Sequence, residues 1–383
     1  MRYHRPVIFL LLLSLALNAA ADVMESAFTL AADRIVEGFN NRDTQPFDEA
    51  VDPDSILRRV FDGKFLGPTR NRGTEAAIRQ VITQQVGHAL IDRMPPEART
   101  KLLRLRVDST EASALMRFQF GDEGNGYLDF SLALDPQGDV RIVDWKDHMT
   151  GLRYSESLRF LLAVTAPTPT VFGQLIDLAT SRADTAEKIR LMSDNYRKGE
   201  FVSVVNNYLS LDENLRRESL LVTLAINSAK AAHDEAVHSK LLEDIAAHSG
   251  NDDSKGFVLL DYFIEQGRYE KALAITDRLI GMMGVDDAGL LAMKSVIFFS
   301  KEEYERAVAE AERAIRSDHE YEDGYWALLN AQVHLKHFQG ATHTAKILED
   351  RFEYDLSAEN LLTLDGFAPF IESLEYHQWR ADR

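Results

Sequence analysis

The side chains best suited to acid–base chemistry lie in one segment, Val140-Arg141-Ile142-Val143-Asp144-Trp145-Lys146-Asp147-His148. If that segment is a strand, Val140, Ile142 and Asp144 share one face. With the two aliphatics in a core, the Asp144 carboxylate sits at the core's mouth, where desolvation raises its pKa and suits it to proton transfer. The opposite phase turns Val143 and Trp145 inward and leaves Asp144 exposed. Asp147 and His148 could form a second acid/base pair, or else a polar strand end at a sheet edge, just ahead of Thr150-Gly151.

Metal and nucleophile chemistry has less to build on. Among the 11 histidines, His334, His337 and His343 fall close together, and i,i+3 spacing can place two imidazoles on one helical face. Yet there is no His-Glu-x-x-His run, and spacing fixes no carboxylate ligand, so solvated or interhelical histidines are the expectation. The chain has no Cys, which removes thiol catalysis, Cys-ligated metals and disulfides. No Gly-x-Gly-x-x-Gly, P-loop or Gly-x-Ser-x-Gly motif appears. No cofactor and no metal are expected.

Composition bounds the partners. The 383 residues carry a formal charge of −18, which repels phosphate backbones and anionic lipid, and no Lys/Arg run offsets it locally. Nucleic acid is therefore not an expected partner. With 45% hydrophobic residues the chain can bury real cores, and its length suits two or three domains.

The N-terminus has the pattern of a secretory signal. Arg2 and Arg5 precede an apolar run from Val7 to Leu17 that is too short to span a bilayer, and Ala19-x-Ala21 supplies the small residues of a cleavage site. Cleavage after Ala21 removes two Arg and leaves a mature charge of −20. No later segment is apolar enough to span, so the expected location is the periplasm, or the medium, with no integral span after cleavage.

The elements that must position these residues change character along the chain. Ala27–Phe39 and Thr74–Met94 read as helices, the second stopped by Pro95-Pro96. Four strands follow over Leu102–Val107, Ala112–Phe120, Gly126–Leu134 and Asp139–Asp147, punctuated by Asp122-Glu123-Gly124-Asn125-Gly126 and Asp135-Pro136-Gln137-Gly138. Short turns predict an antiparallel meander, with Leu128, Phe130, Leu132 and Leu134 inward and Tyr127, Asp129 and Ser131 outward. The Thr-Pro-rich stretch Thr165–Thr170 predicts a linker. Helices followed by a curved four-strand meander resembles the NTF2-like or cystatin-like α+β fold. That resemblance implies a cone-shaped sheet around an apolar pocket, with a carboxylate inside it in some relatives.

The C-terminal half carries a repeat. Tyr269-x-x-Ala272, Tyr304-x-x-Ala307 and Phe338-x-x-Ala341 place an aromatic residue three positions before an alanine, with the alanines 35 and 34 apart. This resembles the tetratricopeptide repeat, in which small residues let the two helices of a hairpin cross closely. The middle copy fits best, with Ser295, Phe298, Ala307 and Ala314 at the marker positions. The flanking copies depart from it: Leu279 and Leu348 replace the last alanine, and Gly256 stands where an aromatic opens the first helix. Lys198-Gly199-Glu200-Phe201 and His233-Asp234-Glu235-Ala236 read as two weaker upstream copies. The tail through Phe367, Phe370 and Trp379 is expected to be a helix that covers the last hairpin.

The expected organisation is a signal peptide over 1–21, an NTF2-like α+β domain over 22–165, diverged helical hairpins over 166–252, and tetratricopeptide-type repeats with a capping helix over 253–383. The repeat resemblance implies a groove lined by the first helix of each hairpin, with Phe257, Asp261, Glu265, Val296, Phe299, Asn330 and His334 in it. The mixture of apolar and acidic groups suits a partly hydrophobic or basic peptide segment. The function expected is that of a non-catalytic periplasmic adaptor that binds another envelope protein, in an oligomeric state the sequence leaves open. The alternatives are an enzyme built on a pocket that includes Asp144 and His148, and a carrier of a small apolar ligand in that pocket.

Overall fold

A computed structural model describes residues 5–61, 72–96, 98–120, 124–165, 183–248 and 255–381, with the side chains of 5–22, 160, 161, 163–165 and 183–186 outside the description. The architecture is an α+β unit built on a four-stranded antiparallel sheet, followed by a long all-helical region. The chain divides into two compact units, Met1–Lys255 and Gly256–Arg383. Of the linker expected at Thr165–Thr170, Thr165 ends a helix and 166–170 lie outside the described residues, as does the boundary expected at 253.

In the first unit, helices α1 (Arg5–Asn40), α2 (Gln45–Ala50), α3 (Pro53–Val60), α4 (Arg72–Gln84) and α5 (Val86–Asp92) precede strands β1 (Thr100–Asp108), β2 (Glu111–Gln119), β3 (Asn125–Leu134) and β4 (Val140–Asp147), ordered β1-β2-β3-β4. The expected second helix is thus two helices, separated at Gln85. Helices α2 and α3 were not expected. They are short, and α3 is built by local signals, with Asp52 accepting from the N–H groups of Asp54 and Ser55 and with Pro53 in the first turn. Phe28, Ala32, Ile35 and Phe39 follow helical spacing on α1, are all buried, and join the sheet's inner face in one core. Phe39 meets Phe118 at 5.1 Å, and Phe47 meets both Phe130 at 6.1 Å and Trp145 at 5.9 Å, so the core side of the sheet is filled ring against ring.

β3 alternates as its sequence predicts, with Leu128, Phe130, Leu132 and Leu134 all on the core side. β4 does not. Ser131 pairs with Asp144 and Leu132 with Ile142, which leaves Val143 as an extra residue in a β-bulge. The bulge resets the alternation, so Ile142 and Trp145 both enter the core although three positions apart. Neither strand phase weighed from the sequence holds along the whole strand.

Helix α6 (Tyr154–Thr165) follows the sheet, and then come α7 (Ala183–Lys198), α8 (Phe201–Leu209), α9 (Glu213–Arg216), α10 (Ser219–Ala232) and α11 (Glu235–His248). The second unit contains α12 (Gly256–Glu265), α13 (Tyr269–Met283), α14 (Ala288–Ser300), α15 (Tyr304–Ser317), α16 (Glu322–His334) and α17 (Phe338–Phe352), then three short helices, α18 (Ala358–Leu361), α19 (Ala368–Ile371) and α20 (Leu374–Ala381). Within this unit each helix from α12 to α17 packs on the next, and α14 also packs on α16.

A single turn recurs in both units. Residues 199, 233, 267, 302 and 336 adopt positive φ, so successive turns fall 34 or 35 residues apart. At four of them the next N–H reaches a carbonyl five residues back: Glu200 to Asn195, Arg268 to Phe263, Glu303 to Phe298 and His337 to Gln332. This left-handed helix end satisfies carbonyls that a terminating helix would otherwise strand. The two weak upstream sequence copies coincide with the turns at Gly199 and His233.

Ala272, Ala307 and Ala341 are all fully buried. At the middle crossing the Ser295 hydroxyl donates to the Ala307 carbonyl at 2.8 Å, tying α14 to α15. The two departures in the first copy compensate each other. A Cβ on Gly256 would lie 3.0 Å from Leu279 Cδ2, so the missing side chain is the space the larger leucine occupies. The tail buries Phe367, Phe370, Tyr376 and Trp379 against Leu329, Val333, Ala341 and Leu348. It covers the last hairpin as expected, but as three short helices, with Gly366 at φ +80 and Pro369 breaking a continuous run.

Candidate functional site

Two regions carry the residues singled out from the sequence, one in each unit. In the second, α14 and α16 bring together Val296, Phe299, Asn330 and His334. Phe299 and His334 meet edge to face at 4.6 Å, and Tyr304 lies 5.3 Å from each ring. His334 Nδ1 lies 2.9 Å from the Asn330 carbonyl oxygen, which can only accept, so Nδ1 carries the proton of this contact. Nε2 then faces the tail, and a Cβ on Gly366 would come within 2.7 Å of it. The chain's own tail therefore lies against half-buried His334, on the side where the groove expectation places a ligand.

One turn before Phe299 on α14, Val296 is 43% exposed, an aliphatic side chain open to solvent. On α12 the three expected residues separate: Phe257 is buried, while Asp261 and Glu265 are exposed on successive turns. Phe257 thus contributes to packing between helices. His337 and His343 are exposed and belong to the turn and first half of α17, and among the described residues no three His, Asp or Glu side chains are grouped as metal ligands.

In the first unit Asp144 is fully buried, and its carboxylate is committed to structure. Oδ1 accepts from the N–H groups of Trp145 (2.9 Å) and Ser155 (3.2 Å), and Oδ2 accepts from the Ser155 hydroxyl at 2.7 Å. It anchors the first turn of α6 to β4, a role available to a carboxylate because the first helical N–H groups lack intrahelical acceptors. Tyr154 beside it stacks on Trp145 at 4.0 Å.

His148 is buried too, but it does not pair with Asp147. Its Nε2 lies 3.9 Å from Asp129 Oδ2, an ion-pair distance when the imidazole is protonated and too long for a hydrogen bond. Asp147 instead accepts the Met149 N–H at 2.8 Å, and burial pushes its pKa up against that bond. Asp129 also takes the Ser113 hydroxyl at 2.6 Å and Arg104 at 3.2 Å. Burial works against its charge, but His148, Ser113 and Arg104 outweigh it and hold the carboxyl below its ordinary 3.8.

Sequence alternation placed Asp129 correctly on the side away from the core, yet gave no sign that this side is itself covered. Tyr127 and Arg117, opposite each other on β3 and β2, are only 2% and 1% exposed. An aromatic residue at a nominally outward position was the available signal.

No family model matches the chain, and no curated protein matches it. Among the described residues no helix is long and apolar enough to cross a membrane.

Proposed function

We propose that the chain is a non-catalytic adaptor of the cell envelope, an NTF2-like α+β domain joined to tetratricopeptide-type hairpins that bind a segment of another protein. The observation that carries this reading is the 34–35-residue recurrence of one turn geometry, with a buried alanine at each hairpin crossing of the second unit. Stacked hairpins of this kind present one side chain set per repeat along an extended face. On α12 and α14 that face offers exposed Asp261, Glu265 and Val296 and half-buried Phe299, which suits a segment combining apolar and basic residues. The commitment of Asp144 to three hydrogen bonds and the aromatic rings that fill the core side of the sheet favour this reading over an enzyme or an apolar-ligand carrier built there.

An array of immobilised peptides of graded charge and hydropathy tests the reading. The full chain should retain peptides with alternating apolar and basic residues, and Val296→Asp should release them. Equal retention of acidic and basic peptides, unchanged by that substitution, would remove the hairpins as the binding element.

A further inference from the structure

A cavity of about 330 Å³ opens on the polar side of the sheet in the first unit. Among the described residues its lining includes Arg59 from the last turn of α3, Arg106 from β1, Arg153 from beyond β4, and the hydroxyls of Ser113 and Ser131. Strand register assembles these distant positions. Arg106 lies opposite Ser113, and Ser113 opposite Ser131, so one row across three strands reads guanidinium, hydroxyl, hydroxyl. The bulged Val143 borders the same cavity, and Arg153 beyond it donates to Ser131 Oγ at 3.1 Å. That bond uses the serine oxygen as acceptor and leaves its O–H to donate.

Three guanidiniums converge on this cavity. Elsewhere some guanidiniums are matched to carboxylates, as in Arg34–Glu49, Arg141–Asp135, Arg313–Asp286 and Arg380–Glu349, and others donate to backbone carbonyls, as Arg42 and Arg159 do. Among the described residues Arg59, Arg106 and Arg153 form no ion pair, although the whole chain carries a net charge of −18. Arg106 also works against the charge of neighbouring Arg104, whose pKa is lowered, chiefly by burial. The lining sets three guanidiniums against the two carboxylates of Asp108 and Glu111, and an anion seated among the guanidiniums gains from that excess of positive charge. Three planar donor groups require more acceptor oxygens than the two of a carboxylate, which favours a tetrahedral oxyanion. The volume exceeds that of a lone phosphate, and Asp108 and Glu111 at the hairpin end of the lining could accept from hydroxyls on the remainder of a ligand.

We propose that this cavity binds a small phosphomonoester, its phosphate held by Arg59, Arg106 and Arg153 with the Ser131 hydroxyl donating, and its hydroxyl-bearing part turned toward Asp108 and Glu111.

Isothermal titration of the full chain with glycerol 3-phosphate, and separately with inorganic phosphate, at constant ionic strength tests it. Saturable one-to-one binding of glycerol 3-phosphate is expected, with phosphate weaker. Arg106→Gln and Arg153→Gln should each weaken it about tenfold or more, since a charged hydrogen bond is worth that much. Arg34→Gln, which breaks a paired surface arginine, should leave it unchanged. Without ligand, Arg106→Gln should melt at the same temperature as the wild-type chain or higher, because it removes a repulsion. Absence of saturable binding to either compound, an equal loss in Arg34→Gln, or binding retained in both cavity variants would overturn the assignment. A lower ligand-free melting temperature for Arg106→Gln would show that this arginine is structural, and would equally count against it.

Discussion

Ser155 offers both its backbone N–H and its hydroxyl to the one carboxylate of Asp144, at 3.2 and 2.7 Å. This pair fastens the start of α6 to the bulged edge strand. Asp144→Asn keeps its one oxygen on the two backbone N–H groups and turns an NH₂ group to Ser155, so the hydroxyl must switch from donor to acceptor and the charge-assisted bonds become neutral ones. The variant should lose about 1–3 kcal/mol in urea unfolding. An unchanged or higher stability would mean that the carboxylate is held at a cost, as a catalytic acid would be.

Asp129 predicts a pH dependence of definite sign. Its folded pKa lies below the unfolded 3.8, so its contribution is fully present above that value and is lost as pH falls through the folded pKa. The stability gap between the wild-type chain and Asp129→Asn should be largest near neutrality and close below about pH 4. A gap that stays constant through the acid range would show that the His148, Ser113 and Arg104 contacts do not favour the charged form.

The recurring turn can be tuned in both directions. Gly267, at φ +64, has no atom within 4 Å of an added Cβ, so Gly267→Ala isolates the backbone cost of a left-handed residue and should destabilise by about 1 kcal/mol. Lys336, at φ +58, already bears that cost, and Lys336→Gly should gain up to about 1 kcal/mol. Chemical denaturation of the two variants gives the comparison, and shifts of the same sign would contradict the shared geometry.

At the middle crossing, Ser295→Ala removes the hydroxyl bond to the Ala307 carbonyl that ties α14 to α15 and leaves a small core residue, with an expected loss of about 1 kcal/mol. Ala307→Leu forces the helices apart and should cost about 1–3 kcal/mol. If leucine there is tolerated without loss of melting temperature, the alanine is not a crossing point.

Much of this was legible in the sequence, and the failures have physical causes. The four strands, the inward set on β3 and the alanine crossings follow from alternation and spacing, which depend on near neighbours. The bulge at Val143 does not, because nothing in the alternation of Ile142-Val143-Asp144-Trp145 tells where one extra residue is inserted, and that insertion decides the fate of Asp144. The sequence offers His148 only its chain neighbour Asp147 or a polar strand end, whereas strand pairing delivers it to Asp129, 19 positions away. The cavity arginines at 59, 106 and 153 form no run in the sequence and meet only through register. Gly256 and Leu279, taken one at a time, looked like degeneration of the repeat, and only their contact shows them as a matched pair.

The proposed function turns on whether the face containing Val296 receives a polypeptide. A photo-crosslinking residue placed at Val296 in the full chain, with Val202, a similarly exposed valine in the first unit, as the control position, tests it directly. After irradiation in the cell envelope, position 296 should yield a discrete adduct with one polypeptide, suppressed by excess of an apolar–basic peptide, while position 202 yields none. No adduct at 296, or the same adducts at both positions, would mean that this face is not a polypeptide-binding surface.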